Sequence, residues 1–406
     1  MERPNVIDNV CYMFDIPVDR RGTDCMKYDA LEKEFGRSDL IPLWVADMDF
    51  PVCEEIVQAC YQRLNHSVYG YVHASDSYWK SIIDWQKSRN GFNIEREEIT
   101  FIPGIVKGIS FAVVSLTEPG DKILIQPPVY HPFKRVIEQN GRVAVMNPLK
   151  EPEPGSGNNY EMDIEGLRKV VEKERPKMLI LCNPHNPIGI SWPPEVLREV
   201  AEICSEYGVL VVSDEIHGDL VWEGHKHTPF ATVSDAAANI SITFGAPSKT
   251  FNIPGFVSSW CVVKNPDLRQ KFFDWLESKE LNGLNIMSLT ATEAAYSFGA
   301  DWLRQVKDYI SGNIFFVANY IQTFMPKLKV HIPQASFLLW IDCRELGLNH
   351  DELIDMLINK AHLALTDGAI FGKEGNGFVR MNVAIARFTL ERALKQLDNA
   401  INNPEQ

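Results

Sequence analysis

The strongest constraint on the fold lies between residues 178 and 212, where two short apolar runs flank one helical stripe. Met178 to Cys182 forms the first run, and Ser191 with Pro193 and Pro194 then supplies a helix start, because proline in the first turn gives up only an N–H that has no intrahelical partner. Val196, Leu197, Val200, Ala201, Cys204 and Tyr207 recur at helical spacing, Gly208 terminates the helix, and Val209 to Val212 begins the next strand. Two strands joined through a helix in this way form a βαβ crossover and run parallel. A third run, Ile240 to Phe244, follows a loop containing Gly224 and Pro229. The alternation extends from about residue 100 to 285, which predicts an α/β domain whose mostly parallel sheet is covered on both faces.

Each of these three strands ends in polar residues: Asn183 and Asn186, then Asp214, then Ser248 and Lys249. Loops at the carboxyl ends of parallel strands converge, so residues distant in sequence become neighbours where ligands bind. Upstream, Pro103-Gly104 precedes an apolar helix pattern through Ile109, Ala112, Val113 and Leu116, and Pro119-Gly120-Asp121 turns into a strand from Lys122 to Gln126. A glycine before a helix lets backbone N–H groups approach an anion, which makes this turn a candidate phosphate cup.

After about residue 286 the pattern changes to long amphipathic helices with a few strands, Phe337 to Cys343 and Phe378 to Ala384 among them. A last helix carries Leu390, Ala393, Leu394, Leu397 and Ile401 on one face. The expected division is an irregular arm over residues 1–45 packing on the smaller domain, a large domain over 46–285 and a smaller α+β domain over 286–406. A chain of 406 residues suits two such units.

Composition narrows the function class. The net charge of −14 repels phosphate backbones and acidic membrane surfaces, so neither nucleic acid nor a membrane is expected as partner. The start, MERPNVIDNVCYMFD, lacks a basic segment followed by an apolar stretch, and no apolar run approaches the length of a span. Eight cysteines without a CxxC pair read as reduced thiols in the cytoplasm. His225-Lys226-His227 sits in a polar loop with no nearby cysteine and no second ligand pair, so no metal site is expected.

Lys249 lies in ITFGAPSKTFNIPG, just past a strand and among small residues, where an amine drawn out of water becomes nucleophilic enough to form an imine with an aldehyde. The same segment is compatible with a surface lysine, and it misses the nucleotide P-loop because Ser248 stands where that motif needs glycine. Asp214, in VVSDEIH, suits the carboxylate that a pyridine nitrogen requires, or a simple helix cap. Asn183 and Asn186 in NPHNPIG offer amides in a turn rich in proline, although turn chemistry alone also favours them. Tyr130 could lay its ring on a flat cofactor or serve the core. Arg380, on an alternating strand in GFVRMNVA, could clamp an α-carboxylate through two bonds or form a surface ion pair. Gly372, Gly375 and Gly377 form a turn before it and miss the spacing of a dinucleotide loop.

Taken in order, these segments resemble the fold-type-I enzymes dependent on pyridoxal 5′-phosphate (PLP), the aspartate aminotransferase superfamily. RRGTDCMKYD near residue 21, LWVADMDFP at 43–51, YGY at 69–71, PPVYHPF, NPHNPIG, SDEIH, APSKTFNIPG and DGAIFGKEGNGFVRMN are similar to the MalY/PatB branch, which contains cystathionine β-lyases and cystalysin-like carbon–sulfur lyases. The resemblance implies that Lys249 is the Schiff-base lysine, Asp214 the partner of the pyridine nitrogen, Asn186 the donor to the phenolic oxygen and Tyr130 the stacking ring. It further implies that the amides of Ile105 and Val106 cradle the phosphate, helped by Ser248, and that Tyr71 reaches the phosphate of a neighbouring subunit, hence a homodimer with shared active sites. Arg380 and the main chain at Ala46 would hold the carboxylate of an amino-acid substrate.

Four positions depart from the wider pattern. Val257 stands where the superfamily often has a basic residue for the phosphate, and Ala246 where it often has serine. His217 closes a DExH in place of the DExY common in aminotransferases, as in the lyase branch, and is expected at the cofactor. His131 replaces the second tyrosine of a cystalysin-like PVYYPF. The reaction implied is β-elimination from L-cystathionine or a related cysteine S-conjugate, with transamination and a regulatory binding role as alternatives on the same fold.

Overall fold

The computed structural model describes residues 10–153 and 159–402, so residues 1–9 of the expected arm lie outside it. A two-residue strand, β1 (Ile41–Pro42), precedes a seven-stranded sheet built from β2 (Ile99–Ile102), β3 (Lys122–Ile125), β4 (Val143–Met146), β5 (Met178–Cys182), β6 (Leu210–Asp214), β7 (Ser241–Gly245) and β8 (Ser259–Val262). Their spatial order is β2-β8-β7-β6-β5-β3-β4. Strands β4, β3, β5, β6 and β7 run parallel, as the crossover pattern predicts. β8 is antiparallel to both neighbours. Gly245 faces Trp260 across that reversal, and an added Cβ would meet the indole at 2.1 Å, so only glycine admits the close approach.

The central strands are buried on both faces because each carries a continuous apolar run. Ile180, Val212 and Ile242 pack toward the helices Ile105–Leu116, Pro132–Gln139 and Pro266–Ser278, whereas Leu179, Leu181 and Val211 pack toward Ile164–Glu174 and Pro194–Glu206. Helix Pro194–Glu206 starts on the predicted proline pair, and Gly208 follows it with φ +68°. Ile240 differs from expectation: it ends the helix Asp235–Ile240, which Ser234 caps, and the strand begins one residue later.

The second sheet holds β9 (Lys329–His331), β10 (Leu338–Asp342), β12 (Thr366–Asp367) and β13 (Phe378–Asn382) in the antiparallel order β12-β13-β10-β9, while β11 (Leu363–Ala364) pairs in parallel with β1. Helices Ala300–Phe324 and Arg387–Asn402 pack on one another. Helix Ile286–Phe298 instead lies against Glu54–Asn65 and Asp76–Asn90. The segment before residue 45 is not irregular throughout: it forms helices Met26–Asp29 and Leu31–Phe35 and strand β1. Phe14 anchors its start, with its ring 5.1 Å from Phe50 and 6.3 Å from Trp302.

Candidate active site

The carboxyl ends of β5, β6 and β7 open into one cavity of about 190 Å³. Its wall contains Ala46, Ile105, Val106, Tyr130, Asn186, Asp214, His217, Ser248 and Lys249, nine of the residues singled out from the sequence. The pairing register explains part of this convergence, since Cys182 stands opposite Asp214 and Asp214 opposite Phe244. Strand ends in register deliver their loops to one place.

Lys249 sits on a four-residue helix, Pro247–Thr250, rather than in a loop, and its Nζ donates to the carbonyl of Ala46. Burial pushes the amine down to about 8, a direction reinforced by Arg380 and opposed by Asp47 and Asp214. Asp214 is buried, and its carboxylate accepts the N–H of Ile216 at 3.2 Å. Burial raises it to about 7; Glu215 adds to the rise, whereas the Ile216 amide and Lys249 oppose it. The two groups meet as a weakened acid and a weakened base.

Arg380 is buried on β13, where Thr366 and Trp340 flank it in register. One guanidinium nitrogen donates to Asn186 Oδ1 at 3.1 Å, and the other donates to the carbonyl of Trp44 at 3.0 Å and to Thr366 Oγ1 at 3.2 Å. Its carbon lies 5.0 Å from the centre of the Phe371 ring, and its Nε has no hydrogen-bond partner. Burial lowers the guanidinium to about 10, with Tyr130 opposing. The ion-pair reading therefore fails: Arg380 is a desolvated cation fixed by neutral acceptors.

Tyr130 presents its ring to the cavity and meets Phe133 edge-on at 5.6 Å; burial raises its hydroxyl. His217 is buried, its Nδ1 lacks a partner, and burial drives the ring down to about 3, so it is a neutral imidazole. Gly104, at φ +103°, precedes helix Ile105–Leu116, so the first N–H groups of that helix face the cavity at its positive end. Ser248, Ser258 and Ser259 add hydroxyls to the wall, and Val257, in the left-handed region at φ +52°, contributes a methyl surface in place of the superfamily's basic residue.

Tyr71 is not in this cavity. It is fully exposed and lines a separate depression with Leu64, Tyr69, Leu284, Ile286 and Met287. Sequence reasoning missed Cys182, Ile216, Pro254, Ser258 and Ser259 in the wall. It also misjudged His227: the loop read as polar folds inward, and His227 is buried against Glu215. The apolar Thr228-Pro229-Phe230 that follows was the available signal, since Phe230 is fully buried.

The donor set fits PLP. One desolvated amine suits its aldehyde, one buried carboxyl its ring nitrogen, one aromatic face its plane, and a helix N-terminus with hydroxyls its phosphate. The unpartnered Nδ1 of His217 leaves polar capacity on the same wall, and Arg380, outside the wall itself, reaches it through Asn186 with its Nε unpartnered.

Comparison with known proteins agrees with this geometry. A family model described as aminotransferase class I and II matches residues 38–397. The chain is 42% identical over 389 residues to cystathionine beta-lyase PatB of Bacillus subtilis, covering 96% of this chain and 100% of that protein. It is 33% identical to protein MalY of Escherichia coli, over 96% of this chain and 99% of the relative. Among solved structures, cystalysin from Treponema denticola, which contains pyridoxal 5′-phosphate, superposes with a TM-score of 0.93 at 31% identity, covering 98% of this chain and 100% of that one.

Proposed function

Because the chain belongs to the aminotransferase class I and II family, we propose that it is a PLP-dependent carbon–sulfur β-lyase, cleaving L-cystathionine or a related cysteine S-conjugate to a thiol, pyruvate and ammonia. The observation that carries this reading is that Lys249 and Asp214 share one desolvated cavity whose Asn186 binds the Arg380 guanidinium, in a chain similar along its whole length to a cystathionine β-lyase.

When bound, PLP supplies an aldehyde for the substrate amine and a ring that takes up the electron pair left at Cα. Lys249 Nζ is the base for the α-proton: burial keeps its proton affinity low, and the Ala46 carbonyl aims it. The Asp214 carboxylate would keep the ring nitrogen protonated, since a cation beside it offsets the cost of burying its own charge. Asn186 commits its Oδ1 to Arg380, which leaves its amide N–H groups for the phenolic oxygen. Tyr130 fixes the ring plane. Arg380, with Ala46 beside it, takes the substrate carboxylate and so sets which bond at Cα stands perpendicular to the ring. The N–H groups of Ile105 and Val106 and the Ser248 hydroxyl hold the phosphate, and His217 borders the cofactor as a neutral ring.

Tyr71 completes the phosphate site from a second subunit. Its exposure in a depression shared with Leu64 and Tyr69, both exposed, supports a homodimer through this apolar face. No helix among the described residues is long and apolar enough to cross a membrane. The cytoplasm is the compartment we assign, on the free cysteines and a small-molecule substrate.

The test supplies purified holoenzyme with L-cystathionine and no keto acid. Sustained release of pyruvate supports the lyase; a single half-turnover that stops with the cofactor as its amine would instead identify an aminotransferase.

A further inference from the structure

The segment Trp44–Phe50 has no helix or strand of its own, yet nearly every carbonyl in it is taken by a side chain of the site or its support. Trp44 O accepts from Arg380 and from Thr366 Oγ1. Val45 O and Asp47 O both accept from Asn382 Nδ2 at 2.6 Å, and Ala46 O accepts from Lys249. Met48 O and Phe50 O both accept from Asn252 Nδ2 at 2.9 Å, three residues beyond that lysine. One run of main chain thus fixes the amine and the guanidinium together.

The side chains of the same run reach the N-terminal arm. Arg20 grips Asp47 with two nitrogens, at 3.1 and 2.6 Å, and reaches Asp49 at 2.6 Å. Lys27, wholly out of water, places its Nζ 3.1 Å from Asp49 and 3.6 Å from Asp47. Tyr28 donates its hydroxyl to Asp49 at 2.7 Å. The arm is shaped for this by Asp29, whose carboxylate accepts the N–H groups of Gly22, Thr23 and Cys25 at 2.9 to 3.1 Å and so closes the turn between Arg20 and Lys27. Two cations therefore face two carboxylates in a site that is nearly dry, where a charge stripped of its partner is strongly unfavourable. Asp47 is also the carboxylate that acts most strongly on Lys249.

We propose that Arg20 and Lys27 are positioning residues for the reaction: they hold Asp47 and Asp49 so that the carbonyl row presents Ala46 to Lys249 and Trp44 to Arg380, and they offset the charge that Asp47 directs at the lysine. This rests on the reading of Lys249 as the base. The other charged or titratable groups facing that amine are Asp214, Arg380 and His217; those facing the cluster are Tyr28 and Cys25. Of these only Tyr28 also feels Arg20, which lies 5.9 Å from its ring, and Tyr28 does not act on Lys249, so an altered proton affinity at Lys249 reports the cluster.

The test uses the full-length protein freed of cofactor. The pH dependence of Lys249 acylation is read by peptide mass spectrometry, and PLP affinity is measured in parallel. Arg20→Gln should raise the midpoint for Lys249 by about half a pH unit or more, because Asp47 loses its main counter-charge. Adding Asp47→Asn should return the midpoint to the parent value or below. Arg21→Gln, at an exposed arginine that pairs with Asp19 and lies 5.9 Å from the Tyr28 ring without bonding Asp47 or Asp49, should change neither readout. A folded Arg20→Gln protein with the parent midpoint, or an equal rise in Arg21→Gln, overturns the proposal. Should Arg20→Gln not fold, Asp47→Asn alone must lower the midpoint, and no change there also overturns it. The titration needs no substrate, so a failed cystathionine assay would overturn the lyase reading and leave this result standing.

Discussion

His227 Nε2 lies 2.9 Å from Glu215 Oε2, with 2% and 3% of the two side chains exposed, one residue along the chain from Asp214. The other oxygen of Glu215 accepts from Ser213 Oγ and from the N–H of Phe230, each at 2.8 Å, so the carboxylate is satisfied only while the imidazole is present. Replacing His227 with leucine should leave Glu215 Oε2 buried without a partner and lower stability by about 1–3 kcal/mol. Denaturant unfolding of the cofactor-free protein measures this, and a loss below about 1 kcal/mol would contradict the assigned role.

Lys249→Ala should reduce pyruvate release from L-cystathionine by at least about 100-fold, the lower end of what a positioned base contributes. Binding of PLP should persist, since the phosphate cup, Tyr130 and Asp214 are untouched. Parent-level turnover in this variant would remove Lys249 from the chemistry.

Asp214 makes stability depend on pH in a definite direction. Its folded-state value, about 7, lies above its ordinary value of 3.8, so its contribution is fully present below the lower value and is lost as pH rises through the higher one. The cofactor-free protein should lose stability between about pH 4 and pH 7 on this account. Asp214→Asn should flatten that dependence and leave the cofactor-free protein about 1–3 kcal/mol more stable at pH 8, while weakening the response to substrate. Thermal melts of both proteins across the range test it; parallel curves would refute the assignment.

Tyr71→Phe should weaken PLP retention by about 10-fold, the loss of one hydrogen bond to a charged group. A sharper test mixes the Tyr71→Phe and Lys249→Ala proteins after reversible dissociation. If Tyr71 serves the neighbouring subunit, each hybrid dimer regains one intact site and activity rises above that of either parent variant. No rise would place Tyr71 outside the shared site.

Much of this was legible in the sequence because parallel strands carry their functional residues at one end. Asn186, Asp214 and Lys249 could be brought together from strand boundaries alone, and the alternation around Arg380 marked a rigid strand. The antiparallel β8 was not legible, since its run is indistinguishable by period from a parallel strand. His227 was hidden because a histidine pair around a lysine reads as polar, and only tertiary packing against Glu215 buries it. The bonds of Trp44–Phe50 escaped for a different reason: they are made by main-chain carbonyls, which every residue possesses. Tyr71 lies apart from the cavity, in an exposed depression with Tyr69 and Met287, which no strand boundary signals.

The carbonyl row has a bearing on how this enzyme can diversify. A carbonyl survives any side-chain replacement, so within residues 44–50 the aim of Lys249 and the grip on Arg380 are open to substitution only through proline, which bends the backbone, and through Asp47 and Asp49, whose carboxylates hold the arm. Side-chain identity matters instead at Tyr130, whose ring lies in the wall and meets His131 at 5.5 Å. The amine and the guanidinium take their aim from atoms that no substitution removes, whereas the stacking ring exists only while Tyr130 does.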